Sequence, residues 1–215
     1  MSEKEKQLKI GLSYEVEVRD KNGKLISKQH GKSHSWLRQW IQILKGEFAT
    51  RHGTTVGSGN VSIYDETGSG RTYPPHTSGT PTAYYMQLST LGDAGDVTQG
   101  IIVGGGDTPN SLTTYALASK IGHGTASGQL VYGAESVEDV INPSGMDLTF
   151  RITRTFTNNS GASVTVKEVG ILVKKYDTSG YGRSFLIARD VLLSPSSVPD
   201  GATLTIRYTV KITVS

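Results

Sequence analysis

The sequence predicts a mainly β protein: an antiparallel β-sandwich, of jelly-roll type in its most specific form, with one helix in the N-terminal region and long loops. Three observations carry this. Leu204, Ile206, Tyr208, Val210, Ile212 and Val214 alternate without a break with Thr205, Arg207, Thr209, Lys211 and Thr213, which makes one apolar face and one wet face. Turn signals (NNSG, DTSGYG, PDG) separate the apolar runs at short intervals. The composition agrees, with 26 glycines, 35% hydrophobic and 7% aromatic residues among 215, a mix that suits strands and turns better than a helical enzyme core.

Residues 1–32 read as a charged arm followed by a hairpin. Leu8, Ile10, Leu12, Tyr14, Val16 and Val18 share one face, Asn22-Gly23 is a strong two-residue turn signal, and LISKQHGKS is the return strand. Residues 33–50 hold the helix. Trp36, Trp40, Ile43 and Leu44 lie at helical spacing beside Leu37, Ile41 and Phe48, with Ser33 or Ser35 as N-cap and Gly46 at the end. Its wide apolar face requires cover from a sheet or a neighbouring subunit. Residues 51–99 are a loop-rich insertion dense in Gly, Ser, Thr and Pro, with VSIYD and YYMQLST as short strands.

Residues 100–215 form the sandwich core, one domain with residues 1–50. GIIVGGG is a short buried strand. TPNSLTTYALASKI holds a single helical turn with Leu112, Tyr115 and Leu117 facing inward. GQLVYGAESVEDVI, MDLTFRITRTFTN, SVTVKEVGILVKKYD, RSFLIARDVLLS and ATLTIRYTVKITVS are strands. The stretch FTNNSGASVTVKEVG reads as a hairpin whose turn uses positive φ at Asn159 or Gly161. Val164 and Val166 share one parity, whereas Val169, Ile171 and Val173 share the other. A bulge near Glu168 or Gly170 restores a common buried face.

Several chemistries find no residues to perform them. With no cysteine there is neither disulfide nor thiolate metal site, and His30, His34, His52, His76 and His123 form no H-E-x-x-H pattern. VGGGDT is not followed by the Gly-Lys-Ser/Thr run of a phosphate loop, so its glycines serve a tight turn. GTASG is no nucleophile elbow. Glu135, Glu138 and Asp139 read as a solvated edge or subunit contact instead of a glycosidase pair. DETGSGR and DTSGYG lack the ligand spacing of an EF-hand. Asn60 and Asn158 head N-x-S glycosylation patterns. The net charge of +3 is dispersed, which implies no specific nucleic acid. The charged start MSEKEKQLKIG is no secretory signal, and no apolar run reaches membrane length. The expectation is therefore a protein with no catalytic residues, no metal and no cofactor. Tyr64, Tyr73, Tyr84 and Tyr85 sit in the loop-rich middle and, with Trp36 and Trp40, are the candidate interaction surface.

Larger stretches resemble a known group. SWLRQWIQILKGEF, IIVGGGDTPNSLTTYALASKIGHGTASGQLVYG, RTFTNNSGASVTVKEVGILV, LIARDVL and VPDGATLTIRYTVKITVS, in that order, resemble virion structural proteins of tailed bacteriophages. The resemblance covers roughly residues 33–50 and 100–215 and leaves 51–99 out. It implies a structural component of the particle, in the capsid or a decoration on it, or in the tail, assembled in the host cytoplasm from many copies of itself beside other virion proteins. The alternative is a receptor- or glycan-binding module of a fibre or decoration protein, recognising a host-surface glycan through tyrosine-rich loops.

Overall fold

Two antiparallel sheets face each other across an apolar core in the computed structural model, which describes residues 8–33, 36–48, 61–73, 90–141, 147–177 and 181–214. The elements in chain order are β1 (Leu8–Arg19), β2 (Leu25–Ser33), α1 (Arg38–Phe48), β3 (Val61–Tyr64), β4 (Gly70–Tyr73), β5 (Gly100–Gly104), β6 (Val131–Ile141), β7 (Asp147–Thr157), β8 (Val164–Tyr176), β9 (Gly182–Val198) and β10 (Thr203–Val214). The larger sheet has the order β2-β1-β10-β7-β6 and the smaller β5-β8-β9, while β3 and β4 form a separate hairpin. The fold is thus mainly β with a single helix among the described residues. Its jelly-roll form is not confirmed, because the strands divide into sheets of five, three and two.

The alternation of β10 does what it predicts. Leu204, Ile206, Tyr208 and Val210 are buried, and they pair across the sheet with Val18, Val16, Tyr14 and Leu12 of β1, which are buried too. The two faces then differ in kind. The outer face carries a ladder of ion pairs in which Glu15 meets Lys28 at 2.9 Å and Arg207 at 2.8 Å, and Glu17 meets Arg19 at 2.6 Å. Ile10 departs from the expected buried set, being 58% exposed near the start of β1. The hairpin reverses at Asn22-Gly23 as read, but through a longer turn than two residues: β1 ends at Arg19 and β2 begins at Leu25, only Gly23 of the pair has a positive φ, +81°, and Asp20 Oδ1 accepts the N–H groups of Asn22 and Lys24.

The smaller sheet is covered on both faces, so residues 168–173 of β8 and 184–190 of β9 are buried without alternation. Part of its cover is α1. Its start differs from expectation: Ser33 is the last residue of β2, Ser35 lies outside the described residues, and the helix begins at Arg38. A tertiary contact sets that start. The Leu37 N–H donates to Ile187 O of β9 at 2.9 Å, and Leu37 O accepts from the Trp40 N–H at 3.0 Å. Trp36 accordingly stands before the helix, bridged to Ala188 of β9, and Gly46 lies within the helix.

The stretch from Phe156 to Gly170 is a corner, where a hairpin was expected. β7 pairs with β10 and β6 in the larger sheet, whereas β8 pairs with β5 and β9 in the smaller. Turn chemistry specifies a reversal but not which sheet receives the next strand. Asn158, wholly buried, builds the corner. Its Nδ2 donates to Ala162 O at 2.7 Å and Val198 O at 2.6 Å, and its Oδ1 accepts from Ser160 N at 3.0 Å and Ser160 Oγ at 2.8 Å. Gly161 takes the positive φ, +78°. Burial also closes the second glycosylation pattern to modification; Asn60 lies outside the described residues. A register shift lies where the bulge was expected, but it does not realign β8, which runs unbroken against β5 from Glu168 to Leu172 and is buried on both faces there. The register of β8 against β9 shifts between Val166 and Glu168, where Val166 faces Ser196 and Glu168 faces Val191, so the extra residues are on β9.

Candidate functional site

The covering layer of the smaller sheet contains a cleft lined by exposed aromatic rings and amides. α1 supplies Arg38, Gln39 and Gln42, β3 supplies Tyr64, the β3–β4 turn supplies Gly68, and the 111–117 segment supplies Thr113 and Tyr115, around about 370 Å³. The turn is locally determined. Asp65, 2% exposed, accepts the N–H groups of Thr67 at 2.9 Å and Ser69 at 3.1 Å, and it is closed by Arg71 at 2.6 Å. Burial alone would raise the Asp65 carboxyl, but hydrogen bonds from Thr67, Arg71 and Ser69 hold it below the usual range. The turn brings Gly68 under the Tyr115 ring, where a Cβ would stand 3.0 Å from three ring atoms. The Tyr64 and Tyr115 rings lie 6.4 Å apart, tilted by 38°, and are 53% and 42% exposed. Gln39 is 2% exposed; its Nε2 donates to Thr114 O at 2.9 Å, and its Oε1 accepts no hydrogen bond among the described residues.

A second cleft of about 470 Å³ shares Thr113 and Tyr115 with the first and ends at Arg189. Below it lies an internal charge pair. Glu168 accepts from Arg189 Nε at 2.6 Å, with both side chains within the interior, and from the N–H groups of Gly106 at 3.1 Å, Ala118 at 3.0 Å and Ser119 at 2.8 Å. Arg189 Nη1 donates to Asn110 Oδ1 at 2.5 Å, while its Nη2 donates to no group among the described residues. This explains VGGGDT: the glycine loop cradles the protein's own carboxylate, and a Cβ at Gly104 or Gly106 would stand 2.5 or 2.7 Å from Glu168 Oε1. It also explains why Leu112 is 74% exposed and Tyr115 is not inward, with only Leu117 of the three buried. The 105–120 segment follows its hydrogen bonds to Glu168 and forms no helical turn.

Arg154 is a second buried cation and binds only carbonyls. It donates to Gly133 O, Gln99 O, Ile101 O, Asp93 O and Asp96 O at 2.7–3.1 Å and lies 4.9 Å over the Tyr132 ring. Next to it Glu135, expected at a solvated edge, turns inward at the β6 bulge and accepts the N–H groups of Gly92 at 2.8 Å and of Ile101. Burial pushes its carboxyl up to about 7 against the lowering effect of those donors. Both groups fasten residues 91–101 to the larger sheet.

The expected interaction residues divide among several places. Tyr64 belongs to the cleft. Tyr73 ends β4, and Tyr84 and Tyr85 lie outside the described residues. Trp36 and Trp40 stack on each other at 4.8 Å and pack partly buried against the core, with Trp36 also lining a separate depression beside Ile10 and Leu12. His30 pairs across from Glu15 in β2, away from the helix start, and His123 Nδ1 accepts the Tyr132 N–H at 3.1 Å. His34, His52 and His76 lie outside the described residues. Among the described residues no three His, Asp or Glu side chains converge as a metal site.

No family model, curated protein or solved structure matches the chain. The site is therefore read from its own geometry. Sequence reasoning missed Gln39 and Arg189 and turned Tyr115 inward; the signal the sequence did contain concerns the turns, since D-x-S/T-G-x-G-R occurs twice, as Asp65–Arg71 and as Asp177–Arg183. Both aspartates are buried and both arginines close on them, at 2.6 and 2.9 Å. The two stretches that looked like calcium loops are hairpin turns neutralised from within. They lie side by side, with the Glu66 N–H donating to Ser184 O at 2.9 Å.

Proposed function

We propose that the protein is a structural component of a bacteriophage virion, present in many copies that join edge to edge through the larger sheet, and that it performs no catalysis. One observation carries the mode of assembly: the two free edges of that sheet have opposite charge. β2 contains Lys28, His30 and Lys32 and no acidic residue; on β6, residues 132–135 are covered by residues 92–95 and Glu135 turns inward, and the part beyond them contains Glu138 and Asp139 and no basic residue. An unpaired edge is a hazard for a monomer and a template for strand addition. Two different edges of one chain make a head-to-tail contact, which closes into a ring or continues as a fibre, as particle components require. Apolar surface adjoins the acidic edge, with Val137 on β6 and Phe150 on β7 at 45% and 38% exposure. The resemblance of residues 33–50 and 100–215 to tailed-phage virion proteins supports the setting.

The test is a charge swap followed by light scattering and sedimentation. Lys28 already serves Glu15 at 2.9 Å, whereas Glu138 meets Arg151 only at 3.7 Å with both side chains exposed, so Lys32→Glu and Glu138→Lys are the informative changes. Each alone should shift a concentration-dependent oligomer toward monomer, and an equimolar mixture of the two should restore assembly, because the two variants alternate with opposite charges at every contact. The double variant in one chain should assemble with itself, because its edges are complementary again. A wild-type protein that stays monomeric at the highest soluble concentration refutes edge-to-edge assembly.

A further inference from the structure

We propose that the paired clefts on either side of Tyr115 form a binding site for a neutral oligosaccharide. The argument starts from surface that the fold has no use for. Tyr64 and Tyr115 flank the first cleft with exposed rings, and aromatic faces offered to solvent in this way stack on the apolar C–H faces of sugars. The polar side chains beside them are amides and a hydroxyl, from Gln39, Gln42 and Thr113, and among the described residues Arg38 is the one charged side chain that lines the first cleft. Amides and hydroxyls match a ligand that both donates and accepts hydrogen bonds but carries no charge.

Two unmade hydrogen bonds strengthen the assignment. Gln39 is almost wholly buried, its amide is oriented by the bond to Thr114 O, and its Oε1 lacks a donor among the described residues. Arg189 is 1% exposed, its charge is met by Glu168, and its Nη2 lacks an acceptor among the described residues. Native interiors pair nearly all such groups, so each exception calls for a reason. Here one acceptor and one donor flank the same ring, in contiguous clefts of about 370 and 470 Å³. Both atoms are closed to solvent, so a chain of hydroxylated rings lying across Tyr115 pairs with them only after a small turn of the Gln39 amide or the Arg189 guanidinium toward its cleft. An anionic ligand is disfavoured, because Arg189 is already neutralised by Glu168.

The test uses the full-length protein on a printed array of bacterial and eukaryotic surface glycans, followed by saturation-transfer NMR with each glycan retained. The expected result is binding of at least one neutral glycan, weakened about tenfold or more by Tyr115→Ala or Tyr64→Ala and unchanged by Tyr181→Ala, which removes a ring of similar exposure on another turn. Thermal unfolding of each variant separates lost contact from lost fold, and Tyr64→Ala keeps the test open if Tyr115→Ala fails to fold. No glycan held above background, retention of charged glycans alone, or binding that survives loss of both rings would overturn the assignment.

Discussion

Asn158→Ala tests the corner that joins the two sheets. The side chain makes four hydrogen bonds, and their surroundings differ. Ser160 is only partly buried, so water can replace what its N–H and hydroxyl lose. Ala162 O keeps the Ser160 Oγ donor at 3.1 Å. Val198 O is interior, and a polar group stripped of its partner there costs about 1–3 kcal/mol. With about 0.5 kcal/mol for each partly wet bond, the total is about 3 kcal/mol. For a chain of this size each kcal/mol lowers Tm by about 2–4 °C, so the expected drop is roughly 6–12 °C. Urea unfolding followed by circular dichroism, at unchanged m-value, gives the number directly. Asn158→Asp should cost more at neutral pH, since a carboxylate would face two carbonyl oxygens, and should recover part of the loss in acid. The neighbouring Asn159 is exposed, so Asn159→Ala should cost less than about 0.5 kcal/mol. A loss below about 1 kcal/mol for Asn158→Ala, or equal losses at both positions, would show that the corner is held by something other than this amide.

Two further outcomes concern the fastening of residues 91–101. Arg154→Met leaves buried carbonyls without their cation and should cost about 3–5 kcal/mol, with loss of amide protection concentrated at residues 91–101 in hydrogen exchange; uniform loss across both sheets would refute a local role. Glu135, whose carboxyl sits at about 7 in the fold against 4.5 when free, binds its proton more tightly folded than unfolded. Its contribution is complete below pH 4.5 and is lost as pH rises through 7, on the order of 3 kcal/mol. Glu135→Gln should flatten that slope, and a slope unchanged in the variant would place the titration elsewhere.

The strands were legible because alternation is a local property. β2 runs over the segment LISKQHGKS that its pattern marks, and the break in parity at Glu168 located the register shift. Partnership was not legible. Nothing in NNSG tells β8 to join β9 and leave β7, since that choice is made by residues far along the chain. The start of α1 was hidden for the same reason: a serine cap is a local signal, and the actual restraint is Ile187 O of β9. The cleft was half legible. Tyr64 was visible as a tyrosine in a glycine-rich loop, whereas Tyr115 was placed inward because Leu112, Tyr115 and Leu117 mimic one face of a helix. Glu168 itself carried the missing information: a carboxylate where a valine-side residue belongs, in a chain with a glycine loop that lacks its phosphate motif, is the ligand of that loop.

The two sheets use their surfaces differently, and this makes the two proposals separable. The smaller sheet is enclosed by the larger one on one side and by α1, the β3–β4 hairpin and the 105–120 segment on the other, so ligand contacts can come only from its cover. The larger sheet keeps an outer face whose charges are mutually satisfied, and what it leaves unmet is its pair of edges. A ligand site in the cover and an assembly site at the edges share no side chain. Lys32→Glu should therefore disperse the oligomer without weakening glycan binding by Tyr64 and Tyr115, and Tyr115→Ala should do the reverse. Loss of both functions from either change alone would point to the fold they share, and would argue against two independent surfaces.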